Sequence, residues 1–175
     1  MGACMQAPGM NMLEHGDAVR RAYIQLLDEL RHGTADPFLQ TMWPWLQDRL
    51  YAPELLAEYQ YWHDCGKHLT LTVDDTGRRH YPGHAQASAE QYRLIFPQQS
   101  LIAELIAMDM EFHTLRGADL ITLWEHPHAP SLYLTAWAEI YANAQMFGGI
   151  ASESFKIKRS RLIQAGKKSP FLTKE

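Results

Sequence analysis

Nine histidines stand in this 175-residue chain, and the informative ones sit beside a carboxylate or head an apolar stripe. His63 and Asp64 are adjacent in "YWHDCGKHL", residues 61–69, directly after a stretch of helical apolar spacing. Neighbours on a helix point about 100° apart, so two such side chains share one ligand only where the helix ends and the backbone turns. Gly66 supplies that end, and Lys67 follows it. His15 leads the stripe Val19, Tyr23, Leu26 and Leu30, and His84 opens a later helical stretch. Asp109 and His113 stand four apart and continue the row of Leu105, which predicts that both project from one helix face. Glu139 lies on the inner stripe between Ala136 and Asn143. A carboxylate on an inward stripe is costly unless it is paired or binds a metal. Imidazoles and carboxylates drawn from several helices, with no thiolate, are the donors of a hard or borderline divalent ion. One or two ions fit this donor set, and Mn, Mg, Zn, Ni, Co and Fe are not distinguished by it.

Each residue also has a plainer reading. His15 could cap its helix, His63 and Asp64 could make local hydrogen bonds at a helix end, and Asp109 with His113 could form an ordinary i, i+4 pair. His32, His68, His80, His126 and His128 read as surface or loop histidines, the last two as a pocket rim beside Pro127 and Pro130.

The elements that must carry these groups are mostly helices. Apolar spacing predicts helices from about His15 to Arg31, over Pro37–Leu50 with a bend or break at Pro44, and from Pro53 to the His-Asp pair. Further helices are expected over His84–Phe96, Ser100–Leu115, Ala118–Glu125 and Ser131–Phe147. Between them, Leu69, Leu71 and Val73 alternate with threonines and "DDTG" signals a turn, so a short β-hairpin or extended loop is expected.

With 46% hydrophobic and 21% charged residues the chain suits one globular domain. We expect an extension or disordered segment over 1–12, the helical domain over 13–150, and a basic segment over 151–175 packed on or flanking it. That last segment carries seven lysines and arginines against two glutamates, within a chain of net charge −4. A basic end on an acidic body could hold a phosphate-bearing ligand. Two cysteines, Cys4 and Cys65, make no disulfide framework and suit a reducing, cytoplasmic setting. No membrane partner is expected, and the oligomeric state is not readable.

"HGDAV", "HDCGK" followed by "TLTVDDTGRRHYPGH", then "LIAELIAMDMEFH" and "LTAWAEIYANA" resemble the successive motifs of the HD-domain metal-dependent phosphohydrolase superfamily. The resemblance spans about His15 to Asn143 and is strongest at HDxGK and at PGHAxxSA. It implies an all-α HD-domain helical bundle with metals between helices. His15 would take the first-His role, His63 and Asp64 the paired role with Asp64 bridging two ions, and His84 the third-His role. The pattern departs at two places. Asp109 stands where the superfamily has His before Met, with His113 one turn later, and Glu139 stands where it has Asp. Asp119 is a rival for that late Asp.

Paired ions activate water and stabilise both oxygens of an in-line displacement at phosphorus, so phosphoester hydrolysis follows. Asp64 and Lys67 are the catalytic candidates, and Lys67, Arg78, Arg79, Lys156 and Arg159 the phosphate-contact candidates. The substrate expected from the resemblance is a nucleotide or a nucleic-acid end bearing a terminal or 2′,3′-cyclic phosphate. The alternatives are a nucleotidase or nucleoside-triphosphate phosphohydrolase, and a binding module with a structural ion.

Overall fold

The computed structural model describes residues 5–7 and 10–172, with side chains from residue 11. The fold is all-α with small β-ladders. Helix α1 (Met12–His32) starts a turn earlier than apolar spacing predicts, because Asn11 and Glu14 form a capping box. The Asn11 side-chain oxygen accepts from the amides of Leu13 and Glu14, each at 3.0 Å, and Glu14 accepts from the Asn11 amide at 2.7 Å. His15 therefore lies inside the helix and is not its cap. Of the expected N-terminal extension, Met5–Ala7 pairs antiparallel with Met10–Asn11 (β1 and β2). Gly2 and Cys4 lie outside the described residues.

The chain divides into two compact units. The first holds the described residues through Ala18 together with Pro53–Asp109. It contains the start of α1, then α3 (Pro53–Trp62), a 3₁₀ turn at Lys67–Leu69, strands β3 (Thr72–Val73) and β4 (Arg79–His80), α4 (His84–Ile95) and α5 (Ser100–Ala107). The expected hairpin is the β3–β4 ladder, with Thr72 opposite His80. Helix α5 packs on α3 and α4 over a core that includes Leu56, Tyr59, Ala89, Tyr92 and Ile106.

The second unit holds Val19–Ala52 and the chain from Met110 onward. After the rest of α1 come α2 (Pro37–Leu46), α6 (Glu111–Thr114), α7 (Gly117–Glu125), α8 (Ala129–Met146) and α9 (Glu153–Gly166). Pro44 sits within α2, which tightens into a 3₁₀ turn at Gln47–Arg49. Helix α8 is buried on nearly every side, and α9 packs on it and on α6. Trp124 donates to the Ala165 carbonyl and Tyr133 to the Leu162 carbonyl, both at 2.8 Å, so side chains satisfy acceptors along α9. The basic segment is thus a docked helix through Gly166.

The helix expected over Ser100–Leu115 is two. α5 stops at Ala107, residues 108–110 form a turn, and α6 begins at Glu111. Asp109 and His113 consequently do not share one helix face. Among the described residues no helix is long and apolar enough to cross a membrane.

Candidate metal centre

Four of the expected residues converge on Asp64 in the first unit. The Nε2 atoms of His15 and His63 lie 3.8 and 3.5 Å from its Oδ2, the Nε2 of His84 lies 3.5 Å from its Oδ1, and Lys67 Nζ lies 2.9 Å from Oδ2. His15, His63 and Asp64 are buried, and His84 is 13% exposed. His63 and Asp64 occupy the turn just past α3, where neighbouring side chains are released from helical divergence.

Two glycines permit the convergence. A Cβ on Gly16 would stand 2.9 Å from the Tyr61 carbonyl carbon and nearer still to its oxygen, so α1 touches the end of α3 backbone to backbone, one residue from His15. A Cβ on Gly66 would stand 2.5 Å from the Ala87 oxygen and closer to the Ala87 carbon and Ser88 nitrogen. The Gly66 amide donates to the Ser88 hydroxyl at 2.9 Å. The turn bearing His63 and Asp64 is thereby seated on α4, whose first residue is His84. Gly66 has an ordinary φ of −95°, so close approach and not backbone strain demands glycine there.

Hydrogen bonding sets the rings. The Nδ1 of His63 lies 2.8 Å from the Gln60 carbonyl and that of His84 lies 2.9 Å from the Tyr81 carbonyl. A carbonyl only accepts, so each Nδ1 carries the hydrogen and each Nε2 presents a lone pair toward Asp64 in the neutral ring. The 3.5–3.8 Å separations exceed hydrogen-bonding distance. Donors about 2.0–2.2 Å from a common ion stand about 3–4 Å apart, so the arrangement fits a divalent cation between them. One ligand atom of His15 and one of His63 also lie within 4.8 Å of each other.

Burial alone would raise the Asp64 carboxyl. With the imidazoles protonated, His63, Lys67, His15 and His84 together outweigh it and hold the group down to about 2. Burial first, and then the Asp64 charge, push the Cys65 thiol up to about 11.

Asp109 is buried and accepts from the Tyr59 hydroxyl. His113 and Glu139 pair with each other at 2.8 Å in the second unit. Asp119 is exposed in the first turn of α7. Arg78 and Arg79 are exposed on the hairpin. Lys156 is committed to Glu153 at 2.7 Å, and Arg159 to Asp36 at 2.5 Å. The cations of α9 that face a cleft are instead Lys158 and Arg161. Sequence reasoning passed over both, although Lys158 continues the Phe155–Leu162 row of α9. His128 stands in the turn before α8, as expected of a loop residue, but is buried with its Nδ1 2.7 Å from the Tyr51 hydroxyl.

No family model, curated protein or solved structure matches the chain.

Proposed function

We propose that the chain is a metal-dependent phosphohydrolase of the HD type, with His15, His63, Asp64 and His84 holding a divalent ion. The observation that carries the reading is the aim of three imidazole Nε2 atoms at one buried carboxylate, two of them fixed by Nδ1–H bonds to backbone carbonyls. Neutral imidazole nitrogens and carboxylate oxygens suit Mn, Fe, Co, Ni or Zn. A bound ion of this kind would lower the pKa of water and polarise a phosphoryl oxygen. Asp64 stays ionised across the physiological range, so it offers an anionic donor. Lys67 is the nearest cation, and its ammonium would serve a phosphate oxygen or the leaving group once released from Asp64. The substrate is a phosphoester of a nucleotide or nucleic-acid end, with free nucleotide as the runner-up.

The 2.9 Å Lys67–Asp64 contact favours a second reading, in which the ammonium supplies the compensating charge and the cluster is structural. Metal analysis of protein purified without chelator, then turnover of a cyclic phosphate, a nucleoside monophosphate and an end-phosphorylated oligonucleotide, separates the two. Stoichiometric metal with EDTA-sensitive turnover supports the enzyme. A metal-free, inert and fully folded protein supports the structural cluster.

A further inference from the structure

The second unit has a cleft that the proposed ligand set of His15, His63, Asp64 and His84 leaves unused. It has a volume of about 240 Å³ and is lined by Met110, His113, Thr114, Glu139, Asn143, Lys158 and Arg161. The basic side chains sit three apart on α9, so they share one face of that helix. Lys158 is half-buried because it follows the inward row of Phe155 and Leu162, which brings its stem against the protein while its ammonium reaches the opening. Among the described residues neither Lys158 nor Arg161 enters an ion pair, whereas Lys156 and Arg159, on the same helix, are neutralised by Glu153 and Asp36. Across the cleft stand a carboxylate held by His113 and, one turn along α8, the amide of Asn143.

The wall is therefore two-faced. One side offers two cations, five guanidinium N–H donors among them, which match the oxygens of a phosphate. The other offers a carboxylate and a carboxamide oxygen, which accept from hydroxyl or amino groups. A simple anion would use the first side and be repelled by the second. A ligand carrying a phosphate together with hydroxyl or amino donors, as a nucleoside monophosphate does, satisfies both. We propose that this cleft binds the phosphate of a nucleotide through Lys158 and Arg161, with Glu139 and Asn143 accepting from its sugar or base. The inference is argued from the residues that line the cleft.

The test is calorimetric titration of the full chain, in EDTA, with a nucleoside 5′-monophosphate, the unphosphorylated nucleoside, inorganic phosphate and a 3′-phosphorylated dinucleotide. The monophosphate should bind saturably and at least about tenfold more tightly than either the nucleoside or inorganic phosphate. Lys158→Ala and Arg161→Ala should each weaken it about tenfold, and Lys156→Ala by less than twofold. Lys158→Gln, which keeps the stem, should match Lys158→Ala and covers a loss of folding in the alanine variant. Tighter capture of the dinucleotide assigns the site to strand ends, and tighter capture of the mononucleotide assigns it to free nucleotides. Absence of saturable binding, equal binding of the nucleoside, or equal damage from Lys156→Ala overturns the proposal. Because chelator is present throughout, failure of the metal reading leaves this result standing, and the reverse is also true.

Discussion

Replacing Gly66 by alanine adds one methyl group where the turn after α3 meets α4 backbone to backbone. The new carbon would lie 2.5 Å from the Ala87 oxygen and nearer still to the Ala87 carbon and Ser88 nitrogen. Comfortable contact needs about 3.5–4.0 Å, so the two segments must part by about 1 Å. Main-chain atoms within a helix cannot swing aside as a side-chain tip does, so α4 or the turn has to move. Overpacking of this kind costs about 1–3 kcal/mol. Losing the 2.9 Å bond from the Gly66 amide to Ser88 adds about 1 kcal/mol. At about 2–4 °C per kcal/mol for a chain of this size, the midpoint of thermal unfolding should fall by about 5–15 °C. The same movement widens the 3.5 Å spacing of His84 from Asp64, so on the proposed metal reading metal retention should drop at least about tenfold. Circular dichroism melts and metal analysis read the two effects. Gly77→Asn is the comparison, because Gly77 has φ +80° with nothing within 4 Å of its added carbon. Asparagine tolerates that backbone, so this variant should lose less than about 1 kcal/mol. Gly66→Ala protein that melts within 2 °C of wild type, about the value of one kcal/mol or less, and keeps its metal would refute the claim that close approach builds the centre.

Three further outcomes are expected. Asp64→Asn removes the charge on which three imidazoles and Lys67 converge, and on the proposed function should abolish metal retention and turnover; loss of the 2.9 Å Lys67–Asp64 pair should cost about 3 kcal/mol in urea unfolding. Cys65, buried and pushed up to about 11, should stay silent to a thiol reagent at pH 8 and react only as fast as the chain unfolds in denaturant. Asp74 in the hairpin is held below the usual carboxylate range by His80, then by the Thr76 hydroxyl and the Arg78 amide. Its contribution is present above the unfolded value of about 4 and fades as pH falls below it. The amides of Thr76 and Arg78, which donate to Asp74 Oδ1, should therefore move toward random-coil chemical shifts as pH falls below about 4, and Asp74→Ala should show those values at every pH.

Periodicity made most helices legible, because α1, α3, α4, α7 and α8 each bury one stripe or more that repeats every three or four residues. The alternating run before "DDTG" gave the hairpin for the same reason. The break at residues 108–110 was hidden, since "LIAELIAMDMEFH" keeps helical spacing across it and contains no glycine or proline. The α1 start is set by the Asn11–Glu14 capping box and not by the apolar stripe, so apolar periodicity alone places it a turn late. At the candidate centre, residue types announced the donors His15, His63, Asp64 and His84. What brings them together was invisible: Gly16 and Gly66 act through contacts between segments far apart in the chain. The choice between Lys156 or Arg159 and Lys158 or Arg161 likewise turned on partners, Glu153 and Asp36, that sequence does not assign.

Asp36 divides its two oxygens between distant elements. Oδ1 accepts from the Phe38 amide in the first turn of α2, and Oδ2 meets Arg159 in α9, 123 positions further along. A single carboxylate is thus both the latch of one helix and the mooring of another. Cutting the chain before Arg159 would be felt at Phe38 as a loosened cap, and Asp36→Ala would slacken the carboxy-terminal helix without touching it.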